Sequence, residues 1–588
     1  MPATPLIGPA EGPASRLWVT EPGRLAVDDT TTGAVGAGWV EPADLSGTTA
    51  LVRVSTSAAS PEAATDVVAS IVAQSRAAGA TRVVLDTDDD RPAAGVLTVP
   101  ALLVTNSLGR RLERFVPAHP GTVGMYSCGP TVYSYQHIGN MRTYVFSDTL
   151  KRALLWRGFD VRHVINITDV GHLLADADQG DDKVEEASRR EGRTVAEITG
   201  FYTDVYWQDL EALNVMFPEV WPKASDFVAQ MINFAAVLED HGYAYVLPQG
   251  LYFDTSLQAD YGELALLDTS GQQATGRVEE VEGKRNPSDF ALWRTFTDGR
   301  ERLMQWDSPW GVGAPGWHLE CSVMSMALLE PHFDIHTGGI DHRELHHVNE
   351  IAQSEAYLDD GRRWVRYWMH GEFLTMQDRK VSKSSGDTLR VADLAGEGVH
   401  PLAFRYLVLQ SHYRSQLKFG TSVVQGAHVS LRRLALRLHA ALGSTLVPAA
   451  PITLVAALDA ALDSDVLTER LLALDAAVAD DLQMPTVVAL VNDWSRSPEA
   501  LTPAEWAVLL QAVNALTGVS LGLLGPVDFV PALPPSVDVG WVEDRLAERE
   551  AARAAKDWQL ADRMRDELAE VGIRVEDTPE GTHWYWAG

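Results

Sequence analysis

The chain has 588 residues, with 80 acidic against 48 basic side chains and a formal net charge of −32. That balance excludes a protein that coats polyanions indiscriminately, but not one that holds a nucleic acid on local basic patches. Two cysteines exclude a disulfide framework. No apolar run reaches the length of a membrane span, so no membrane partner is expected. The opening stretch, MPATPLIGPAEG, lacks a basic-then-apolar leader pattern, and the cytoplasm is the expected compartment. The length suits three to five domains.

In chain order, residues 1–100 read as a small α/β extension, with strands at 50–54 and 82–85 and a helix at 61–78 behind a serine cap. Six arginines, no lysine and twelve acidic residues make it a poor RNA binder, and without histidine, cysteine or a glycine-rich phosphate loop it suggests no role. The core begins near residue 102. A strand at 123–128, a helix at 138–157 and a strand at 161–168 make a βαβ unit, hence a parallel sheet with a right-handed crossover. Ligands of such sheets bind at the carboxyl ends of strands, where Cys128 and Thr168 fall. The loop into the helix carries His137 and Gly139, and a helix N-terminus there presents free N–H groups to an anion.

Residues 169–284 are charged and helical, then strand-like at 243–253, and read as an insertion. The sheet is expected to resume with strands at 289–295 and 333–339. Between them PGWHLEC, at 315–321, opens a helix. A helix at 346–357 starts on two histidines and places His346 and Glu350 on one face. KVSKSS, at 380–385, is a polar loop carrying Lys380 and Lys383. Leu/Ala periodicity over 401–524 predicts a helical bundle. A four-proline linker at 526–535 leads to one long helix at 542–571 and a Trp-rich tail.

Cys128, Cys321, His346 and Glu350 have the chemistry of a tetrahedral zinc site. The alternative is two buried cysteines and a solvated helix face. His137 with Lys380 and Lys383 suits a nucleotide triphosphate, because lysines can neutralise charge developing on leaving pyrophosphate. The alternative is an ordinary βα turn and a solvated basic loop.

From about residue 102 to the C-terminus the chain resembles cysteinyl-tRNA synthetase, a class I aminoacyl-tRNA synthetase family. HIGN at 137–140 stands for the family's HIGH, and KVSKS at 380–384 for KMSKS. CGPTVY, NITD at 166–169, PGWHLEC, HFDIHTGGID at 332–341 and HHVNEIAQSEA at 346–356 are close to the family's versions, the last three being specific to the cysteine enzyme. DDLQMP at 480–485 and the stretch from Glu548 to Trp584 resemble its helical domain and terminal anticodon-reading module.

The resemblance implies an α/β fold: a Rossmann-type catalytic domain at 101–170 and 285–345, interrupted by a connective insertion at 171–284. It implies a zinc helix and KMSKS-type loop at 346–400, a tRNA-binding bundle at 401–530 and an anticodon-binding module at 536–588, all behind the 1–100 extension. The activity implied is ligation of L-cysteine to tRNA(Cys) through an ATP-derived adenylate, by a monomer carrying one Zn²⁺, with Mg²⁺ accompanying ATP. Zinc falls to Cys128, Cys321, His346 and Glu350, and the cysteine pocket to Thr168 and Trp317. ATP falls to His137, Gly139, Asn140, Asp341 and Lys383, and catalysis to His137, Asn140, Lys380 and Lys383. Arg549, Arg553, Lys556, Arg563, Arg565 and Trp584 are candidate tRNA contacts, although the helix positions also read as a solvated, ion-paired face and Trp584 as part of a local core. Asn140 replaces the family's second histidine, residues 342–345 and Val348 depart from its usual spelling, and WYWAG replaces its basic tail. The rival readings are a cysteine ligase acting on an amino sugar, like mycothiol ligase, and a catalytically silent tRNA-binding paralogue.

Overall fold

The computed structural model describes residues 96–119, 121–170, 183–266, 282–297, 302–376, 389–529, 538–578 and 581–586, with four strands nearer the N-terminus. The helix expected at 61–78 and the segment with Lys380 and Lys383 lie outside the described residues.

Strands β1 (Arg16–Glu21), β2 (Arg24–Asp28), β3 (Thr49–Arg53), β4 (Arg82–Asp86) and β5 (Val96–Val99) form a sheet of order β2-β1-β3-β4-β5. The two strands expected in the extension are β3 and β4, and β3, β4 and β5 run parallel. Val99, at the end of β5, is buried in the main core. A hairpin of β6 (Leu103–Asn106) and β7 (Arg111–Arg114) follows.

The βαβ unit consists of β8 (Thr122–Ser127), α1 (Ile138–Trp156) and β9 (Asp160–Ile165). Helix α1 starts on a reciprocal cap. His137 Nδ1 accepts from the Asn140 N–H at 3.1 Å, and Asn140 Oδ1 accepts from the His137 N–H at 3.3 Å. The chain leaves it through Gly158 at φ 77°. Helix α1 is buried nearly all round, Arg142, Asp148, Lys151 and Arg152 included. A helix enclosed on every side shows little amphipathic stripe. Its charged groups are consumed inside: Asp148 accepts from Arg152 Nε at 2.7 Å and from Arg405 of the bundle.

Strands β10 (Ala244–Leu247) and β11 (Gly250–Phe253) of the insertion pair on with β12 (Phe290–Thr295) and β13 (Gly313–Pro315), which lie beyond its expected end at 284, in an antiparallel sheet of that order. This corrects the expectation that the parallel sheet resumes at 289–295. The run FALWRT is buried on both faces, and a short apolar run reads alike in a parallel sheet and in a covered antiparallel one. The parallel sheet resumes with β14 (Phe333–Gly339), after helix α2 (Trp317–Leu328), and closes with β15 (Val365–Gly371), after helix α3 (His346–Leu358). Its order is β15-β14-β8-β9, all parallel. The chain turns one way from β8 to β9 and β14 lies on the other side, so the crevice at the carboxyl ends of β8 and β14 is the switch point where such sheets bind ligands.

Helices Pro401–Leu409, Thr421–Leu442, Leu454–Ala460, Asp465–Ala479, Met484–Trp494 and Pro503–Thr517 form the bundle, and their leucines join α1 in one core. The single helix expected at 542–571 is two, Val539–Ala554 and Trp558–Glu570. Lys556 adopts φ 59°, and the Asp557 carboxylate accepts from the Leu560 N–H at 3.1 Å, capping the second. The unbroken charged pattern across 548–567 hides that cap. The hairpin Ile573–Thr578 and Gly581–Trp586 completes the module.

Candidate functional site

A cleft holding about 1250 Å³ of non-protein space, open solvent at its mouth included, opens at this switch point. Cys128, Thr168, Trp317, Cys321 and His346 line one part of it, and His137, Asn140 and Asp341 another. Residues just beyond β8, β9 and β14 and residues of α1, α2 and α3 thus meet where the topology places a ligand.

Three chain segments deliver the floor. Cys128 follows β8, Cys321 lies on α2, and His346 and Glu350 are one turn apart on α3. Their donor atoms all lie within 4.8 Å of one another, and all four residues are buried. Cys321 Sγ is 3.5 Å from His346 Nε2, and Glu350 Oε1 is 2.9 Å from the same nitrogen. That carboxylate oxygen makes no hydrogen bond among the described residues. A hydrogen bond with Cys128 holds the Cys321 thiol down at about 6, against its burial. Burial and the neighbouring Cys321 push the Cys128 thiol up. Burial alone would lower His346, but Glu350 and Cys321 lift it to about 10. Burial alone would raise Glu350, but His346 and His336 pull it to about 2. Two sulfurs, an imidazole and a carboxylate oxygen converge with negative charge in excess, and a buried carboxylate oxygen lacks a hydrogen bond, so the donor set fits a divalent cation.

The walls are built tightly. The Trp317 ring stacks on His346 at 4.2 Å between centroids, and His318 Nδ1 lies 2.9 Å from His346 Nδ1. Asn166 donates to Thr168 Oγ1 at 3.0 Å and accepts from the Gly129 N–H at 2.8 Å. Gly129 sits so close to the next strand that a Cβ would stand 1.5 Å from the Asn166 carbonyl oxygen. The signal for that glycine is the CGP turn itself. Histidines 318, 336, 347 and 370 surround the floor and are all buried. They stand inside or beside the motifs GWHLEC, HFDIH, HHVNE and YWMHG, but nothing in their spacing says that they converge.

At the other end, α1 points its N-terminus into the cleft. Burial pushes His137 below its ordinary value, so the imidazole is neutral at pH 7. Gly139 does not line the cleft; a Cβ there would stand 2.9 Å from His137 Nδ1, so glycine leaves room for the capping ring. The Ile138 N–H donates to Leu389 O at 3.0 Å, which brings the chain just after the KVSKS segment to the helix N-terminus. An Asn140→Ala chain loses the bond from the His137 N–H, and we expect it to unfold about 1 kcal/mol more easily in urea.

The terminal module divides the candidate tRNA contacts. Lys556, Arg563 and Arg565 are exposed and Arg553 is half-buried. Arg549 is only 4% exposed, which removes it as a surface contact. Trp584 is partly buried on the small core of Val542, Leu568 and Ile573, so its side chain is used locally. Among the described residues no helix is long and apolar enough to cross a membrane.

Residues 114–429 match the family model described as the class I (C) tRNA synthetase catalytic domain, and 542–584 that of the cysteinyl-tRNA ligase anticodon binding domain. The chain is 46% identical to the cysteine–tRNA ligase of Novosphingobium aromaticivorans over 494 residues, spanning 82% of this chain and 97% of that one. It is 41% identical to the cysteine–tRNA ligase of Zymomonas mobilis, over 82% and 98%, and 45% identical to cysteine–tRNA ligase 1 of Burkholderia lata, over 82% and 96%.

Proposed function

The chain belongs to the cysteine–tRNA ligase family, and from that premise we propose how its cleft divides the work of cysteine activation. It is an aminoacyl-tRNA synthetase with L-cysteine, ATP and tRNA(Cys) as substrates. A carboxylate oxygen of cysteine attacks the α-phosphorus of ATP, the bond to the β-phosphate bridge breaks, and pyrophosphate leaves. A hydroxyl of the terminal tRNA ribose then attacks the adenylate carbonyl and AMP leaves. Neither step needs a covalent bond to the protein, so orientation and charge stabilisation carry the catalysis.

Cys128, Cys321, His346 and Glu350 would hold one zinc ion, whose chemistry is to favour a thiolate over a serine hydroxyl. Convergence of these four donors, three of them lining the cleft that receives the α1 N-terminus and Glu350 directly behind, carries the reading. Thr168 and Trp317 wall the side-chain pocket. Its size alone would separate cysteine from a near isostere by only about 1–3 kcal/mol. Neutral His137, held by its cap on Asn140, donates from Nε2 to the triphosphate, and the helix N-terminus adds its dipole. Asp341, also lining the cleft, takes the ribose hydroxyls. Lys380 and Lys383 neutralise the departing pyrophosphate, which Mg²⁺ accompanies. The exposed Lys556, Arg563 and Arg565 are the terminal module's candidates for phosphate contacts with the anticodon arm. The same reading takes the protein as a cytoplasmic monomer, which sedimentation of the purified chain checks for mass.

The test is cysteine-dependent exchange of pyrophosphate into ATP, followed by charging of tRNA(Cys) with an amino sugar as the competing acceptor. Exchange without charging, but with acylation of the sugar, would favour the mycothiol-ligase-like reading; no exchange would favour a silent tRNA binder. Lys383→Ala is expected to slow exchange on the order of 10²-fold while the KM for cysteine stays within about twofold, as expected for a group acting on developing charge.

A further inference from the structure

Directly behind the four donors stands another set that shares two of them. His336 on β14 and His347 on α3 are completely buried, and neither lines the cleft. Cys128 Sγ lies 3.2 Å from His347 Nε2, and His336 Nε2 lies 2.9 Å from Glu350 Oε2. His347 Nε2 is 4.0 Å from Glu350 Oε1, and the donor atoms of Cys128, His336, His347 and Glu350 all fall within 4.8 Å of one another. The Glu350 carboxylate therefore divides, with Oε1 beside His346 at the front and Oε2 beside His336 at the back.

The back set has the chemistry of a metal site in its own right: one thiolate, two imidazoles and one carboxylate. Its imidazoles can present lone pairs inward. His347 Nδ1 lies 2.8 Å from His370 Nε2, and His370 Nδ1 lies 2.7 Å from Ser107 Oγ. When the serine oxygen accepts from His370 and His370 accepts from His347, the His347 proton sits on Nδ1 and Nε2 is left unprotonated. In this structure His336 Nε2 donates to the Glu350 carboxylate, and an ion seated between them takes the place of that proton, the ring then carrying its proton on Nδ1, which makes no hydrogen bond among the described residues.

We propose that Cys128, His336, His347 and Glu350 form a second seat for the divalent ion. It is occupied in place of the front seat, a single ion per chain passing between two seats that share Cys128 and Glu350. An ion in the back seat has Cys128 as its one donor on the cleft wall, with His336, His347 and Glu350 behind it, so this seat retains metal and does not select amino acids. The inference rests on the metal reading of the front donors.

Cys321→Ser and His346→Gln each remove a donor from the front seat alone. The full-length variants are expected to purify with close to one zinc per chain while cysteine-dependent exchange falls at least a hundredfold. X-ray absorption at the zinc edge should count one sulfur per zinc in Cys321→Ser and two in the unaltered chain. Adding His347→Ala to Cys321→Ser should lower zinc content at least tenfold. In the otherwise unaltered chain, His347→Ala should speed removal of zinc by a chelator at least tenfold. Zinc-free Cys321→Ser and His346→Gln chains, beside an unaltered chain that holds zinc, would overturn the second seat and leave the first standing. So would unchanged chelator kinetics in His347→Ala. An unaltered chain that binds no zinc would instead overturn the front-seat reading on which the inference rests.

Discussion

An Asp148→Ala chain is expected to lose about 3–5 kcal/mol of stability, because the change strands buried positive charge. Asp148 accepts from Arg152 Nε at 2.7 Å, from the Met216 N–H at 2.8 Å and from Arg405. The Asp148, Arg152 and Arg405 side chains are all buried. Arg405 also donates to the Leu213 and Asn214 carbonyls at 3.0 and 3.1 Å and to the Thr517 carbonyl at 2.5 Å. One carboxylate therefore joins α1, the end of the insertion's long helix and the bundle. A Cβ on Gly518 (φ 62°) would stand 2.5 Å from the Arg405 guanidinium carbon, so the chain has left space for this group. Burial would raise Asp148, but Arg152 and Arg405 hold it below the usual carboxylate range. Its folded value is thus the lower one. The stabilisation is complete above the ordinary carboxylate pKa and disappears as pH falls through the folded value. Urea titrations at neutral and acidic pH should show the variant's deficit shrinking in acid. Adding Arg405→Met removes one stranded charge and should recover part of the loss in a double-mutant cycle. An Asp148→Ala chain as stable as its parent would mean that water reaches the network.

Much of the catalytic half is legible because its signals are local. The βαβ unit shows as an apolar run, a turn and a periodic helix, and α2 and α3 begin where PGWHLEC and HHVNE place them. The reading fails where the information is long-range. FALWRT carries no mark of which sheet it joins, since burial on both faces erases the alternation that would tell. The break at Lys556 hides within a charged pattern that suits a helix on both sides. Arg549 reads as one more solvated charge, and only the packing of two short helices buries it. Cys128 and Cys321 are separated by the whole insertion; topology sends Cys128 to the crevice, but the side of α2 that faces it depends on how that helix lies over the sheet. The histidines around the floor converge for the same reason, each being buried by a different element.

Cys128→Ala is expected to have the largest effect on chemistry, because Cys128 is the one thiolate common to the front and back donor sets. The full-length variant should purify with less than about a tenth of the parent's zinc. Ala is smaller and apolar, and the Cys128 N–H bond to Thr337 O at 3.2 Å does not involve the side chain. The fold should therefore survive, which an unfolding curve checks. What remains for amino-acid selection is the pocket walled by Thr168 and Trp317. A pocket that recognises only size and apolar character rejects a hydroxyl-bearing isostere by about 10²-fold, whereas a site built to engage a specific polar group reaches about 10⁴ or more. Preference for cysteine over serine, measured as the ratio of kcat/KM in pyrophosphate exchange, should accordingly fall from about 10⁴ towards about 10². Most of that fall should come from slower activation of cysteine, with serine nearly unaffected, because serine draws nothing from the sulfur-binding floor. A zinc-depleted variant that still prefers cysteine by about 10⁴ would assign selection to the shape of the Thr168 and Trp317 walls instead.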